Sequence, residues 1–347
     1  MRIGILTGGG DAPGLNAAIR GVARRAFQRN FTVTGIKNGW AGVLGQGDFE
    51  ELTATSIRGI LPLGGTILGT SRTNPLKEKN GVQNVIRLLR SNGIEGLVAI
   101  GGDDTLSVAA AMSEAGYPVV GVPKTIDNDL SATEFCIGFD TAVNVVVEAL
   151  DRLHTTASAH HRVMVVEVMG RDTGWVGMIG GLAGGADLII IPEFPVAMDE
   201  VVGHLRQRRG EGKDFSIIVV CEGVKMKELQ PAMAMAAAEE RRDAFGHVQL
   251  AKQGVGESLS NRIEEQTGFE TRVTVLGHLQ RGGSPSPVDR IWATRLGVAA
   301  TDLLAEGRGG VIPVRQNGTV AVVPLRDVIK ETRRVPRELY ELAGVFS

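Results

Sequence analysis

The chain has 347 residues, a length that favours two α/β domains, each with its own apolar core. Its 37 basic and 39 acidic residues give a formal net charge of −2, which excludes a whole-protein positive field for nucleic acid or an anionic membrane. Apolar runs such as residues 188–191 are far shorter than the ~18 residues of a membrane span. With only Cys136 and Cys221, and no leader before the first strand, we expect a cytoplasmic protein with unpaired cysteines.

Short apolar runs alternate with helical patterns along the chain. The runs predict buried parallel strands at residues 3–6, 96–100, 119–122, 163–168 and 217–220. Apolar residues at three- and four-residue spacing predict helices at residues 16–29, 81–91, 141–153 and 289–304, and high helix propensity predicts another at 228–242. The alternation predicts a doubly wound α/β architecture, in which ligands bind beyond the carboxyl ends of the strands.

The glycine loop, residues 7–16, follows the first predicted strand and opens the first predicted helix. Its three adjacent glycines, Gly8 to Gly10, let backbone N–H groups face an anion, and the helix N-terminus adds partial positive charge. This pattern predicts a phosphate site, although a plain tight turn has the same local sequence. Neither the Walker pattern nor the dinucleotide GxGxxG pattern is present, so those nucleotide-binding folds are not supported.

Two further strand-end loops carry acidic residues. The Asp103 loop, residues 100–105, contains Asp103 and Asp104, and the Asp127 loop, residues 122–129, contains Asp127 and Asp129. Four carboxylates on neighbouring loops repel one another unless a cation lies between them. Because Mg²⁺ binds one or two carboxylates together with phosphate oxygens, we expect it as the cofactor, with Asp103 either as its ligand or as a residue that anchors its ligands. The alternative for either loop alone is a set of solvated or helix-capping acids.

Four motifs in this order resemble the 6-phosphofructokinase family: Gly-Gly-Asp at 101–103, Thr-Ile-Asp-Asn-Asp at 125–129, Met-Gly-Arg at 169–171 and Gly-His-Leu-Gln-Arg-Gly-Gly-Ser-Pro at 277–285. The resemblance covers nearly the whole chain. It implies two Rossmann-like three-layer α/β domains with mainly parallel sheets and an active site in the cleft between them. By the same resemblance, residues 1–138 with 280–330 bind the phosphoryl donor and Mg²⁺, and residues 139–279 with 331–347 bind fructose 6-phosphate.

The resemblance also assigns catalytic roles. Asp127 is expected to be the general base that takes the proton from the sugar 1-hydroxyl, with Thr125 and Asp129 beside it. Such a positioned carboxylate commonly contributes ~10²–10⁴-fold to the rate. Arg171 is expected to stabilise charge on the transferring phosphoryl group, because phosphoryl transfer depends on positioning and charge neutralisation. The alternative role of Arg171 is a surface ion pair.

For the sugar phosphate, the resemblance implies a clamp of cationic side chains, whose donors match phosphate oxygens: Arg162, Arg272, His278 and Arg281. The remaining substrate-binding residues that it implies are Met169, Gly170, Arg171 and Glu222. Alone, His278 would more often be a buried, hydrogen-bonded histidine. In the family, residues matching Arg162 and Arg272 come from a neighbouring subunit, so we expect a homodimer or homotetramer with shared sites.

The donor-binding residues that the resemblance implies are Gly9, Gly10, Arg72, Gly102, Asp104, Thr105 and Lys124. ATP users in the family generally have glycine at position 104 and a small residue at position 124, whereas pyrophosphate users resemble this chain. Asp104 would repel the α-phosphate of a nucleotide by about 4 kcal/mol at ~4 Å and an effective dielectric of ~20. Lys124 can pair with pyrophosphate and also join the catalytic set. The alternatives are a helix cap for Asp104 and a solvated surface cation for Lys124. Val108 is expected to crowd the nucleoside pocket.

These features together predict an enzyme that transfers a phosphoryl group reversibly from pyrophosphate to fructose 6-phosphate, in glycolysis or gluconeogenesis. An ATP-dependent member of the same family is the first alternative. Lipid and NAD kinases share only the Gly-Gly-Asp loop. A non-catalytic sugar-phosphate sensor is a further alternative, which the retention of Asp103, Asp127 and Arg171 argues against.

Overall fold

The computed structural model describes residues 1–229 and 254–345, which form two compact units. The first unit comprises Met1–Thr141 and Arg281–Arg333. The second comprises the described residues in the ranges 142–229, 254–280 and 334–345. Within these described ranges, no helix is both long enough and apolar enough to cross a bilayer.

The described strands are β1 Arg2–Thr7, β2 Thr32–Ile36, β3 Phe49–Leu52, β4 Gly96–Gly101, β5 Val119–Pro123, β6 Val163–Val168, β7 Leu188–Ile190, β8 Ser216–Cys221, β9 Thr271–Val275, β10 Val311–Gln316 and β11 Thr319–Pro324. The described α-helices are α1 Leu15–Gln28, α2 Gly81–Ser91, α3 Asp103–Glu114, α4 Phe139–His160, α5 Trp175–Ala183, α6 Met198–Gly210, α7 Val255–Thr267, α8 Pro287–Ala305, α9 Leu325–Val328 and α10 Arg337–Ala343. Short 3₁₀ helices lie at Gly39–Val43, Pro75–Lys77 and Gly277–Arg281.

A seven-stranded sheet in the order β11-β10-β5-β4-β1-β2-β3 forms the centre of the first unit. The five inner strands are parallel, and the edge strands β3 and β11 are antiparallel to their neighbours. In the register Thr7 pairs with Ile100, and Ile100 pairs with Val122. The carboxyl ends of β1, β4 and β5 therefore lie side by side at one edge of the sheet.

Two apolar layers cover this sheet because successive side chains of a strand point to opposite faces. Ile3 and Ile5 belong to one buried cluster, and Leu6 belongs to the other. Helices α1 and α8 pack closely on the first of these faces. A Cβ added at Gly21 would lie 2.7 Å from the Thr294 carbonyl oxygen, so glycine lets the two helix backbones approach.

Asp289, in the first turn of α8, is a fully buried acid. Its carboxylate accepts hydrogen bonds from the N–H of Gly138 at 2.7 Å and from the N–H of Thr141 at 2.8 Å. The Thr141 hydroxyl donates to it as well. These bonds satisfy donors at the N-terminus of α4, which lack partners within the helix. Burial raises the pKa of Asp289 to about 6, because desolvation outweighs the hydrogen bonds.

The second unit contains a four-stranded parallel sheet in the order β7-β8-β6-β9. All residues of β6 and β8 are buried, as expected for strands covered on both faces. A buried ion pair supports one edge, where Arg208 of α6 meets Asp187 at 2.5 Å and donates to the Ser216 hydroxyl at 3.1 Å. Because the partners satisfy one another, the charges are tolerated in the interior.

The architecture confirms the predicted α/β class with mainly parallel sheets. Each predicted strand is present with boundaries within one residue, and the helix at residues 81–91 has the predicted bounds. The helix predicted at 141–153 is longer, Phe139–His160, because Asp289 anchors its beginning and no breaker follows Leu153. Of the helix predicted at 228–242, Glu228 and Leu229 lie in a turn and the rest falls outside the described residues.

Candidate active site

The glycine loop, the Asp103 loop and the Asp127 loop lie next to one another at the carboxyl edge of the first-unit sheet. The N–H of Gly8 donates to the Ile100 carbonyl at 3.0 Å, and the N–H of Lys124 donates to the Gly101 carbonyl at 3.0 Å. Ladder hydrogen bonding thus continues one residue beyond the strands. The parallel register brings the glycine loop, which begins at Thr7, next to the Asp103 loop, which begins at Ile100.

The glycine loop differs from its prediction in one respect. The N–H groups of Gly8 and Gly9 already donate to carbonyl oxygens, that of Gly9 to Ser71 at 3.1 Å. The expectation that these two N–H groups face an anion is therefore wrong for this conformation. The Thr70 hydroxyl also donates to the Gly9 carbonyl at 2.6 Å. Residues 70–72 thus hold the glycine loop from the side and place the exposed Arg72 next to it.

Gly10 lies directly against a cationic side chain. A Cβ added at Gly10 would lie 2.6 Å from Nη1 of Arg281. The same Nη1 donates to the Asp11 carbonyl at 3.2 Å. Arg281 belongs to the first unit, so the structure groups it with the predicted donor-binding residues, although the family resemblance assigned it to the sugar phosphate.

Lys124 places a buried ammonium group at the glycine loop. Its side chain is 3% exposed, and its Nζ donates to the carbonyl oxygens of Gly8, at 2.9 Å, and Gly10. Burial, and secondly the Arg281 guanidinium, lowers the pKa of Lys124 to about 7, although nearby aspartates oppose the shift. The prediction of a solvated surface cation at this position is therefore excluded. An anion arriving here would favour the charged form of the amine.

The Asp127 loop presents two carboxylates in a tight turn. The N–H of Asp127 donates to the Thr125 hydroxyl oxygen at 3.1 Å. The Thr125 side chain also hydrogen-bonds Asp129. Burial raises the pKa of Asp129 well above its usual range, and the negative charges of Asp127 and Asp103 contribute to the rise. The predicted crowding of acids from two loops is thus present, and a proton or a cation relieves it.

The Asp103 loop leads directly into α3. Asp103 and Asp104 lie in the first turn of the helix, where acidic side chains interact favourably with the helix dipole. Asp103 is exposed, Asp104 is half-buried, and Gly102 precedes them as the N-cap. Thr105 is buried directly beneath Gly8 and Gly101, since a Cβ added at either glycine would lie 2.4 Å from its side chain.

Val108 is an interior residue of α3. Its side chain is fully buried in the apolar cluster that contains Leu106 and Ala109. A side chain therefore fills the space at this position, and the expectation that Val108 crowds a nucleoside stays a prediction.

The Arg171 loop, residues 169–174, joins β6 to α5 in the second unit. Met169 is buried and donates its N–H to the Gln280 side chain at 3.3 Å, and Gly170 has a φ of 145° that favours glycine. Arg171 is half-buried and forms an ion pair with the neighbouring Asp172 at 2.7 Å. The alternative surface ion pair is therefore present. Glu222 follows β8 at the same edge, its N–H bound to the Val168 carbonyl at 2.9 Å.

The predicted sugar-phosphate cations are only partly brought together. Arg162 and Arg272 both form ion pairs with Glu270, that of Arg162 at 2.8 Å. The Nε of Arg162 is buried without a hydrogen-bond partner among the described residues. His278 is exposed in the 3₁₀ helix Gly277–Arg281, so the expectation for an isolated histidine, a buried one, is wrong here.

Three comparisons with known proteins agree on one family. The family model described as Phosphofructokinase matches residues 2–304. The pyrophosphate–fructose 6-phosphate 1-phosphotransferase of Amycolatopsis methanolica is 48% identical over 347 residues, covering 100% of this chain and 99% of that protein. The ATP-dependent 6-phosphofructokinase 3 of Streptomyces coelicolor is 43% identical over 341 residues, which are 98% of this chain and 98% of that protein. A crystal structure of Pichia pastoris phosphofructokinase in the T-state matches with a TM-score of 0.81 at 30% identity, covering 99% of this chain but 36% of that longer one.

Proposed function

This chain belongs to the phosphofructokinase family, and we propose that it reversibly transfers a phosphoryl group from pyrophosphate to the 1-hydroxyl of fructose 6-phosphate, giving fructose 1,6-bisphosphate and phosphate. The observation that carries the choice of donor is the buried Lys124 ammonium at the glycine loop, together with Asp104 on the neighbouring loop. The name of the Amycolatopsis methanolica relative supports the same donor. We assign donor binding to the first unit and sugar-phosphate binding to the second.

The donor residues suit a compact, highly charged anion. Lys124 and Arg281 both lie against Gly10 and bring two positive groups to the glycine loop. Asp104 adds a negative charge at the start of α3, which disfavours an additional α-phosphate with its nucleoside by about 4 kcal/mol at ~4 Å and an effective dielectric of ~20. Gly9, Gly102, Thr105 and Arg72 complete the proposed donor site. Pyrophosphate supplies two linked phosphates without a third group in that position.

The acceptor hydroxyl needs a base. Asp127 takes the proton of the 1-hydroxyl as the oxygen attacks phosphorus, and Thr125 holds the turn through the Asp127 N–H. When Asp129 is ionised, its negative charge next to Asp127 favours uptake of a proton by the pair. Arg171 neutralises charge that develops on the transferring phosphoryl group.

The reaction also needs a divalent cation, and Mg²⁺ fits the acidic loops. Asp103 contributes to the raised pKa of Asp129, so negative charge is concentrated where a cation would reduce repulsion. Among the residues that the structure describes, no group of three or more acids, histidines or cysteines is arranged to hold a metal alone. We propose that Mg²⁺ would be held by Asp103 together with phosphate oxygens and water. When bound, Mg²⁺ neutralises charge on the phosphoryl oxygens.

The sugar phosphate binds to the second-unit residues Arg162, Met169, Gly170, Arg171, Glu222, Arg272 and His278, joined by Arg281. The 6-phosphate exchanges with Glu270 as the partner of Arg162 and Arg272. As part of the proposal, Arg162 and Arg272 act on the site of a neighbouring subunit in a homodimer or homotetramer. Cys136 and Cys221 are both buried and are not joined in a disulfide, which fits a cytoplasmic glycolytic enzyme.

A steady-state assay with fructose 6-phosphate and Mg²⁺ tests the proposal by comparing pyrophosphate with ATP. We expect kcat/KM to be higher with pyrophosphate, and fructose 1,6-bisphosphate plus phosphate to regenerate pyrophosphate. A higher kcat/KM with ATP would make the chain an ATP-dependent member of the family. Binding of fructose 6-phosphate without turnover with either donor would favour the sensor alternative. In the variant D104G/K124G, pyrophosphate use should fall while ATP use stays the same or rises.

A further inference from the structure

Glu193 stands out because its carboxylate supports the Arg171 loop from outside that loop. Both of its carboxylate oxygens accept the N–H of Gly174, Oε1 at 3.0 Å and Oε2 at 2.9 Å. Oε1 also accepts the N–H of Val335 at 3.1 Å. Hydrogen bonds from backbone N–H groups to a carboxylate are about twice as strong as neutral ones. Glu193 thus binds the residue at which the Arg171 loop ends and α5 begins.

The other end of the Arg171 loop is fixed as well. The N–H of Gly223 donates to the Gly170 carbonyl at 3.0 Å. A Cβ added at Gly223 would lie 1.9 Å from the Arg171 carbonyl oxygen, so the two backbones are in direct contact there. Only three residues, 171–173, lie between Gly170, which Gly223 binds, and Gly174, which Glu193 binds. The direction in which Arg171 leaves the backbone is therefore set by Gly223 on one side and Glu193 on the other.

The sequence around Glu193 has no local reason to carry an acid. Helix caps of this kind usually come from the third residue of the same helix, as Glu200 does for the Ala197 N–H at the start of α6. Glu193 instead lies on the turn after β7, 19 residues beyond the amide it binds. A Cβ at Gly174 would lie 2.3 Å from Cβ of Ile191 and 2.9 Å from Oε2 of Glu193, so glycine is needed for Ile191 first and also lets the Glu193 carboxylate approach.

The C-terminal segment holds the turn that carries Glu193. The ring of Phe194 stacks on Tyr340 of α10, with 4.5 Å between centroids and 28° between planes. The guanidinium of Arg337 lies 5.1 Å from the centre of the Phe194 ring. Residues 335–340 thus contact Glu193 directly through the Val335 N–H and contact its neighbour Phe194 through Arg337 and Tyr340.

We propose that Glu193 is a positioning residue that holds the Arg171 loop in the conformation in which Arg171 acts, and that residues 335–340 hold Glu193 in turn. The inference rests on the proposed function of Arg171 in phosphoryl transfer. Displacing a group that stabilises the transition state by ~1 Å can reduce turnover ~10²-fold. Loss of Glu193 should therefore reduce kcat much more than it changes either KM.

The test uses Glu193→Ala and Glu193→Gln in the full chain, with Glu200→Ala as the matched control. Glu200→Ala removes a capping carboxylate from another helix of the same unit and should leave kcat within about twofold. Glu193→Ala should reduce kcat by about 10²-fold with both KM values within about threefold. Glu193→Gln keeps one acceptor oxygen and should reduce kcat by about 10-fold, since neutral hydrogen bonds are weaker.

A double-mutant cycle separates positioning from loss of stability. If Glu193 acts through Arg171, Glu193→Ala should change kcat by less than about twofold in an Arg171→Ala background. An equal loss of kcat in both backgrounds would overturn the inference, and so would a change in KM with kcat intact. Thermal melts report folding, and if Glu193→Ala does not fold, Glu193→Gln carries the same cycle.

Hydrogen exchange gives a readout that does not depend on turnover. Amides of residues 172–175 should exchange at least about tenfold faster in both Glu193 variants, and at the parent rate in Glu200→Ala. Unchanged protection of these amides would overturn the inference even if activity fell. Absence of turnover by the parent protein with pyrophosphate and with ATP would instead count against the proposed function, leaving the exchange result to decide the role of Glu193.

Discussion

The charged groups of the two units are held in different ways. In the first unit, Lys124 is 3% exposed, and its ammonium group donates to the backbone carbonyls of Gly8 and Gly10. In the second unit, the side chains of Arg162 and Arg272 are 27% and 51% exposed and share the carboxylate of Glu270, which is itself 45% exposed. Exposed ion pairs contribute little to stability, so a phosphate can replace Glu270 at small cost.

This difference supports a preorganised arrangement of charges at the proposed donor site and exchangeable ion pairs at the proposed sugar-phosphate site. Preorganised charges stabilise a transition state without reorganising during the reaction. Exchangeable ion pairs serve substrate binding, because Glu270 neutralises Arg162 and Arg272 until a phosphate takes its place. We therefore expect changes in the first-unit loops to reduce kcat and changes in the arginines to raise KM.

The largest effect should come from Asp127→Asn. The amide cannot accept the proton of the sugar hydroxyl, so kcat should fall by about 10²–10⁴-fold, while the KM for pyrophosphate changes little. Steady-state kinetics with both substrates varied provide the measurement. Asp48→Asn, at an exposed aspartate of the same unit, is the control and should stay within about twofold. Near-full turnover by Asp127→Asn would show that Asp127 is not the general base.

Much of the first unit could be predicted from the sequence because parallel strands follow simple rules. Apolar runs predict β1, β4 and β5. Because parallel strands align their carboxyl ends, the loops that follow these strands are expected at one edge of the sheet, where the structure has them. The acidic crowding around Asp129 follows from that placement. These inferences needed only local patterns and one topological rule.

The features that could not be predicted depend on contacts between distant segments. Ser71 takes the Gly9 N–H, and nothing in the local pattern of either residue indicates this bond. Arg281 lies against Gly10, although its motif suggested a sugar-phosphate ligand. Glu193 has no motif at all, since its role depends on Gly174 and Val335. Side-chain partners of this kind are set by packing, which sequence periodicity does not encode.

The next largest effect should come from Arg162→Ala, which tests the exchangeable ion pairs of the second unit. Losing a charged hydrogen-bond donor to phosphate costs about 1.5–3 kcal/mol, so the KM for fructose 6-phosphate should rise by about 10–100-fold with a smaller change in kcat. The matched control is Arg209→Ala, whose guanidinium packs 4.7 Å from the Phe269 ring and donates to the His161 carbonyl. The control should stay within about twofold. A fall in kcat at constant KM in Arg162→Ala would contradict the proposed division between the units.

The pH dependence of pyrophosphate use tests the charge of Lys124. Because the pKa of Lys124 is lowered to about 7, its ammonium is lost as the pH rises above that value in the free protein. The kcat/KM for pyrophosphate should then fall by about tenfold per pH unit on the alkaline side. The raised pKa of Asp129 should produce a fall on the acidic side, where the acid pair retains a proton.

Lys124→Arg distinguishes this group from other titrating residues. A guanidinium stays charged at every accessible pH, so the alkaline fall should disappear while the acidic fall remains. The shape of the profile is the readout, because the larger side chain will lower activity at all pH values. An alkaline fall that is unchanged in Lys124→Arg would assign it to another group and would weaken the electrostatic argument for the donor.

The smallest effect on activity should come from Asp289→Asn, which changes a buried charge that takes no part in the reaction. In the asparagine, one of the two side-chain oxygens becomes an NH₂ group, which cannot accept a hydrogen bond. The N–H of either Gly138 or Thr141 then loses its acceptor in the interior at the start of α4. The free energy of unfolding should fall by about 1–3 kcal/mol, measured by urea unfolding at neutral pH, with kcat within about twofold. Asp327→Asn, at a half-exposed side chain of the same unit, should lie within about 0.5 kcal/mol of the parent. A large loss of kcat without loss of stability would mean that the N-terminus of α4 takes part in catalysis, and the preorganised region would then extend beyond the three strand-end loops.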